Sequence, residues 1–146
     1  MLQRAYKTLA EDVHKGAFVT PATEWFLDNF HLISSQIVEI HQNLPRRYYL
    51  ELPALATRQS AGDARIYAIA VELLRYSDSR LDLPQLTLFL NSYQRVAPLT
   101  LGELWAWPSM LKLALIENLR RLADEIMGCD LGRFPTASRR MTEVLA

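Results

Sequence analysis

The 146-residue sequence has one cysteine, five glycines and no excess of charge of either sign. Because Cys129 has no second cysteine to pair with, an intrachain disulfide is excluded, and the chain fits a reducing compartment. The 16 basic and 16 acidic residues cancel, so no overall field draws the chain towards nucleic acid or an acidic membrane surface. We therefore expect no nucleic-acid partner.

Long apolar segments are also missing. The first ten residues carry Arg4 and Lys7 without a continuous apolar stretch, so no signal peptide is visible. The longest apolar run, Leu104 to Ile116, is interrupted by Lys112 and is too short to span a bilayer. We therefore expect no direct membrane insertion and a cytoplasmic location, with any place at the inner face of the inner membrane supplied by a partner.

The short motifs of nucleotide and hydrolase chemistry are absent as well. The glycines never form a phosphate-binding loop, and no G-x-S-x-G elbow occurs. Asp28 and His31 give a single D-x-x-H without a second copy on another helix, which does not predict a metal site. Asp28, His31 and Ser35 point outward side by side on one helical face, which does not build a nucleophilic triad. The sequence therefore predicts no catalytic residue, no metal and no cofactor.

Helical periodicity is what the sequence has in abundance. Half of the residues are apolar or aromatic, which is enough for a core, and no segment alternates with period two over the length of a strand. Apolar spacing predicts a helix over 2–14, a long helix that begins at Pro21 after a Thr20 cap, and a helix over 64–76. A further helix over 84–96, capped by Asp82, is predicted to bury a stripe formed by Leu86, Phe89, Leu90 and Tyr93.

The strongest helical pattern follows Thr100. Thr100 and Glu103 form a T-x-x-E capping box, and Pro108 predicts a kink or a restart because it lacks a backbone donor. Beyond Pro108 the apolar residues fall on several sides of the helix, which is typical of the central helix of a bundle. We therefore predict an all-α bundle of about six helices with its central helix near 108–127. The predicted domain covers 1–127, and a divergent tail, 128–146, includes a short helix after Thr136.

Aromatic and arginine side chains supply a candidate interaction surface, because both types are enriched at protein interfaces. Trp105 and Trp107 flank Pro108, and we expect them to fill a gap between helices, since large aromatics dominate cores. The alternative is that they stack on sugar rings. The full candidate surface comprises Trp25, Asp28, His31, Tyr48, Tyr49, Trp105, Trp107, Arg120 and Arg121.

Two stretches resemble a known family. The words "EWFLDNFH" at 24–31 and "LALIENLRRLA" at 113–123 are similar to the region ahead of the glycosyltransferase domain in bacterial cyclic β-1,2-glucan synthases, and the similarity extends from roughly Tyr6 to Ile126. The resemblance implies a relationship to very large inner-membrane enzymes that build β-1,2-glucan from UDP-glucose. It also implies that the matched region is their helical, cytoplasmic part near the N-terminus.

The sequence departs from that family where catalysis would lie. It has neither a D-x-D motif for a metal-bound nucleotide sugar nor a Q-x-x-R-W acceptor motif, and the tail after Met127 is no longer similar. We therefore predict a docking or structural domain that is not an enzyme on its own. Its expected partner is the remainder of a cyclic glucan synthase or a second copy of the chain. The alternative is a carbohydrate- or nucleotide-sugar-binding module that uses Trp105, Trp107, Arg120 and Arg121.

Overall fold

The computed structural model describes residues 2–16, 19–55 and 62–126, and within these ranges it contains six α-helices and no β-strand. The predicted all-α fold is therefore confirmed. The tail 128–146, with the short helix expected after Thr136, lies outside the described residues, and the domain boundary at 127 stays a prediction. The helices are α1 (Leu2–His14), α2 (Pro21–Asn43), α3 (Arg46–Glu51), α4 (Arg65–Tyr76), α5 (Leu83–Val96) and α6 (Leu101–Ile126).

Local caps set where two of these helices begin. The Thr20 hydroxyl accepts a hydrogen bond from the backbone N–H of Thr23 at 3.2 Å, and Pro21 occupies the first helical position of α2. The Asp82 carboxylate accepts from the backbone N–H of Gln85 at 2.7 Å at the start of α5. First-turn amides have no partner within the helix, so each cap satisfies a donor that would otherwise depend on water. Both predicted caps are confirmed.

The central position of α6 is also confirmed, because α6 packs against α1, α2 and α4. The most deeply buried side chains lie where these helices meet and include Ile40, Leu44, Ile66 and Met110. The helix nevertheless begins at Leu101, a full two turns before the predicted start near 108.

Pro108 lies inside α6 and does not restart it. Its ring is exposed to solvent, so water can serve the carbonyl group that loses its helical donor, and the helix continues through the proline. The capping box at Thr100 begins the helix before this point, because the Glu103 N–H donates to the Thr100 hydroxyl at 3.2 Å. The expected capping box is therefore confirmed. Of the kink or restart expected at Pro108, the restart is wrong, because one helix runs through the proline.

The stripe predicted for α5 is only half-buried. Leu86, Phe89, Leu90 and Tyr93 pack against the core, but no residue of α5 is fully buried. A helix at the margin of a bundle is covered on one side, so its inward side chains stay partly open to solvent. The outward Leu88 is 69% exposed. The predicted inward face is thus correct, and its predicted depth of burial is wrong.

Candidate interaction surface

One side of α6 carries apolar side chains that are exposed near both ends of the helix and partly buried between them. Residues that are three, four or seven positions apart lie on the same side of a helix. Leu101 and Trp105 are 70% and 76% exposed in the first half of α6, and Leu122 is 48% exposed in the second half. We call this set the α6 stripe; its members are Leu101, Leu104, Trp105, Pro108, Leu115, Leu119 and Leu122. Single exposed leucines are ordinary, but several apolar residues along one side of a helix are typical of an interaction site.

Trp25 of α2 lies beside the second half of the α6 stripe. Together with Leu115, Leu119 and Leu122 it lines a groove of about 270 Å³, to which Ile116 and Asn118 also contribute. We call this the Trp25 groove. Trp25 is 54% exposed, and Leu32, two turns further along α2, is 51% exposed. The groove is therefore an open apolar trough between α2 and α6 that side chains of a partner can enter.

Lys112 interrupts the α6 stripe at its midpoint, and α2 neutralises it. The Lys112 ammonium donates to the Glu39 carboxylate at 2.7 Å. This hydrogen bond, reinforced by the positive charge of Lys112, lowers the pKa of Glu39. The pair is exposed enough that its direct contribution to stability is small. Its consequence is that the midpoint of the stripe carries no net charge.

Asp28 and His31 are exposed on α2, away from the buried Phe26 and Ile33. Asp28 is three residues after Trp25 and four before Leu32, so it lies at the rim of the Trp25 groove.

Among the described residues, no group of three or more His, Cys, Asp or Glu side chains is arranged to hold a metal ion. Within the same ranges, no helix combines the length and the apolarity needed to cross a membrane.

The two tyrosines of α3 connect helices. The Tyr48 hydroxyl donates to the backbone carbonyl of Gly102 at 2.5 Å, which ties α3 to the first turn of α6. Tyr49 is 3% exposed, and its hydroxyl oxygen accepts from the backbone N–H of Ala64 at 3.4 Å, just before α4. Burial therefore removes Tyr49 from the exposed surface, while Tyr48 is half-buried.

The two tryptophans near Pro108 face different environments. Trp107 is 8% exposed and belongs to the core, as expected, whereas Trp105 is 76% exposed. Residues two positions apart on a helix differ by roughly 200° in direction, so both rings cannot fill the same gap. The expectation that both tryptophans are buried is therefore wrong for Trp105.

Arg120 is buried between two carboxylates of its own helix. Its guanidinium donates to Glu117 at 3.0 and 2.8 Å and to Asp124 at 2.6 Å. Arg121, the next residue, is half-buried. The buried Arg120 thus serves the packing of α6 and does not offer its charge to a ligand in this structure.

The four residues of the sugar-binding alternative do not meet in one place. Trp107 and Arg120 are buried. Trp105 and Arg121 are 16 positions apart on one helix, which corresponds to about 24 Å along its axis. What the fold does bring together is Trp25 with the leucines of the α6 stripe. The sequence did not predict an exposed position for these leucines, because the dense apolar residues beyond Pro108 are typical of a central helix; their recurrence at steps of seven was the available signal.

Comparison with known proteins identifies one informative relative. No protein-family model and no solved structure matches the chain. The cyclic beta-(1,2)-glucan synthase NdvB of Rhizobium meliloti (strain 1021) is 40% identical to it over 123 residues. The match covers 84% of this chain and 4% of NdvB, so the chain spans only a small fraction of the length of that relative. The predicted resemblance is thereby confirmed: this chain is homologous to a short segment of a cyclic β-(1,2)-glucan synthase.

Proposed function

We propose that this chain is a non-catalytic helical docking domain that acts together with a cyclic β-1,2-glucan synthase. The observation that carries the proposal is the apolar surface formed by the α6 stripe and the Trp25 groove. An exposed apolar surface of this extent is unfavourable in water and is typically covered by another protein. The relationship to a segment of NdvB supports a role in the same system.

The engagement of the acidic side chains supports a role without catalysis. Transfer of glucose from UDP-glucose requires stabilisation of the diphosphate leaving group, which usually comes from a carboxylate-bound cation or from free basic groups. The buried carboxylate Glu103 is held by Arg65, and Glu117 and Asp124 are held by Arg120. These groups serve the packing of the helices and do not converge on a pocket.

Binding to the synthase tests the docking role. The experiment uses the purified chain and a cyclic β-1,2-glucan synthase from which the homologous segment has been deleted. Association is measured by biolayer interferometry, and glucan formation from labelled UDP-glucose is measured with and without the chain. We expect the chain alone to form no glucan and to bind the truncated synthase. Glucan formation by the chain alone would overturn the non-catalytic part of the proposal.

Surface variants locate the contact. Trp25→Ala and Leu122→Glu are expected to weaken binding to the truncated synthase, because both change the Trp25 groove. Leu88→Glu is the matched control, since Leu88 is also an exposed leucine but lies on the outward side of α5. Full binding by both groove variants would remove the groove from the docking surface, and absence of binding by the unchanged chain would overturn the docking role.

A further inference from the structure

We propose that the α6 stripe and the Trp25 groove pair with the same surface on a second copy of this chain, with the two α6 helices antiparallel. This inference rests on the proposed function in one respect, namely that this face is a docking surface, and it names the occupant. Self-pairing needs both features. The α6 stripe supplies the protruding side chain of Trp105, and the Trp25 groove of the second copy receives it.

The spacing of the α6 stripe suits packing against another helix over its full length. Leu101, Pro108, Leu115 and Leu122 recur at steps of seven residues. This repeat keeps side chains on one side of a helix and is the pattern by which two helices pack along each other. With 26 residues, α6 offers a contact about 39 Å long.

An antiparallel pair with its twofold axis between residues 111 and 112 brings complementary features together. In this register Leu101 of one copy lies opposite Leu122 of the other, and Leu104 lies opposite Leu119. The protruding Trp105, 76% exposed, lies opposite Asn118 and therefore enters the Trp25 groove of the second copy. A twofold interface repeats this contact, so each Trp105 fills one groove.

The parallel arrangement lacks this fit. It would place Trp105 against the second Trp105 and the groove against the second groove, which leaves both grooves empty. The antiparallel arrangement also sets the dipole of each α6 favourably against the other. Near the axis, each Lys112 brings its own Glu39 carboxylate, so the centre of the interface has no excess of like charge.

The exposed apolar area on this face is close to the area that each copy buries in a stable dimer. Trp25 and Trp105 are more than half exposed, and Leu32, Leu101, Leu104 and Leu122 add further apolar surface. Together they offer roughly 600 Å² of apolar side-chain area per copy, against about 800 Å² per partner in an interface of standard size. Backbone and polar atoms at the rim can supply the difference.

Oligomeric state is the first test. Sedimentation velocity on the full 146-residue chain, at concentrations up to about 100 µM, is expected to show a species of twice the 16.8 kDa chain mass. Trp105→Glu and Leu122→Glu should each weaken self-association by about 30-fold or more, because each places a charge in an apolar contact that the twofold axis repeats. Leu88→Glu should leave it unchanged. Far-UV circular dichroism shows whether the variants, all at exposed positions, keep their helices.

Disulfide trapping tests the register. In a Cys129→Ser background, Leu101→Cys and Leu122→Cys proteins are mixed and mildly oxidised. The expected product joins position 101 of one copy to position 122 of the other. Leu101→Cys alone should not cross-link, because in the proposed register its two thiols are about 31 Å apart along the axis. Efficient cross-linking of position 101 to itself would overturn the antiparallel arrangement.

The outcomes separate this inference from the proposed function. A chain that stays monomeric at every concentration overturns self-pairing, while its binding to the truncated synthase would leave the docking role in place. A dimer that does not bind the truncated synthase overturns the docking role alone. Because both partners would use one face, a chain that does both should lose self-association as the truncated synthase is added.

Discussion

Arg65 and Glu103 form a two-pronged ion pair that joins the first turn of α4 to the first turn of α6. The Arg65 Nε donates to Glu103 Oε1 at 2.8 Å, and Nη2 donates to Oε2 at 2.6 Å. The same carboxylate accepts from the Thr100 backbone N–H at 2.9 Å and from its hydroxyl at 3.0 Å. One buried side chain thus completes a helix cap and a contact between helices. Since α4 and α6 share the core, their relative position depends on this pair.

Replacing Glu103 with Gln should destabilise the fold by about 2 to 3 kcal/mol, because removal of one partner leaves the Arg65 guanidinium without its counter-charge in a partly buried site. The substitution keeps the shape of the side chain, so loss of packing is minimal. Urea unfolding at neutral pH, followed by circular dichroism, measures the change in the free energy of unfolding.

Glu51→Gln is the matched control for this substitution. Glu51 pairs with Arg47 at 3.4 Å, but both side chains are largely exposed to solvent. Removing an exposed pair should change stability by no more than about 0.5 kcal/mol. Equal effects of the two substitutions would show that burial gives the Arg65–Glu103 pair no special importance.

Acid should weaken the fold through the same carboxylate. Burial raises the pKa of Glu103, but the hydrogen bonds from Arg65 and Thr100 outweigh it and hold the pKa below its ordinary value of 4.5. A folded pKa below the unfolded pKa means that the carboxylate stabilises the fold above about pH 4.5, and that this stability is lost as the pH falls through the folded pKa. The free energy of unfolding of the unchanged chain should therefore fall more steeply below about pH 4.5 than that of Glu103→Gln. Parallel pH profiles would contradict this assignment.

The caps that begin α2, α5 and α6 were predictable because local chemistry determines them. The side chains of Thr20, Asp82 and Thr100 each accept from a first-turn backbone N–H three residues later. No tertiary information is needed for such caps. Pro108 misled the prediction because its effect depends on burial: an exposed carbonyl can bond to water, and a buried one cannot.

The exposed side of α6 was not predictable in the same way. Periodicity identifies apolar residues, but it does not reveal how many neighbouring helices surround them. Leu111 is 8% exposed and Leu122 is 48% exposed, although both are leucines of α6 beyond Pro108. The difference arises because α1, α2 and α4 surround only part of α6. Trp105 and Trp107 differ in exposure for the same reason, since only Trp107 is on a side of α6 that neighbouring helices cover.

Arg120→Ala should destabilise the chain by about 3 kcal/mol or more, because it leaves the carboxylates of Glu117 and Asp124 buried without their shared counter-charge. Urea unfolding measures the loss. Arg75→Ala is the control, since Arg75 pairs with Glu72 at 3.1 Å in an exposed position and should cost little. If Arg120→Ala unfolds no more easily than Arg75→Ala, the buried network is not structural.

Two glycines should respond in opposite directions to substitution by alanine. Gly62 has a φ of +92°, where a side chain is strained, so Gly62→Ala should cost about 1 kcal/mol or more. Gly102 is helical, and an added methyl group would meet Leu52 at 3.7 Å and the Tyr48 hydroxyl at 3.8 Å, which are ordinary contacts. Gly102→Ala should therefore stabilise the chain by about 0.5 kcal/mol through lower backbone entropy in the unfolded state. Thermal unfolding of both variants, compared with the unchanged chain, tests the difference in sign.

Ile40 and Val38 lie two residues apart on α2, and their side chains should contribute very differently to the free energy of unfolding. Ile40 is completely buried near the end of the helix, and Val38 is 54% exposed. Ile40→Ala removes buried methyl and methylene groups and leaves a cavity, so it should cost about 3 kcal/mol. Val38→Ala truncates a side chain that is more than half exposed and replaces a β-branched residue with a better helix former, so its effect should stay within about 0.5 kcal/mol. Urea unfolding with an unchanged slope distinguishes a loss of stability from a change in the unfolded state. Equal costs would mean that Ile40 does not lie in the core around which α2 and α6 pack.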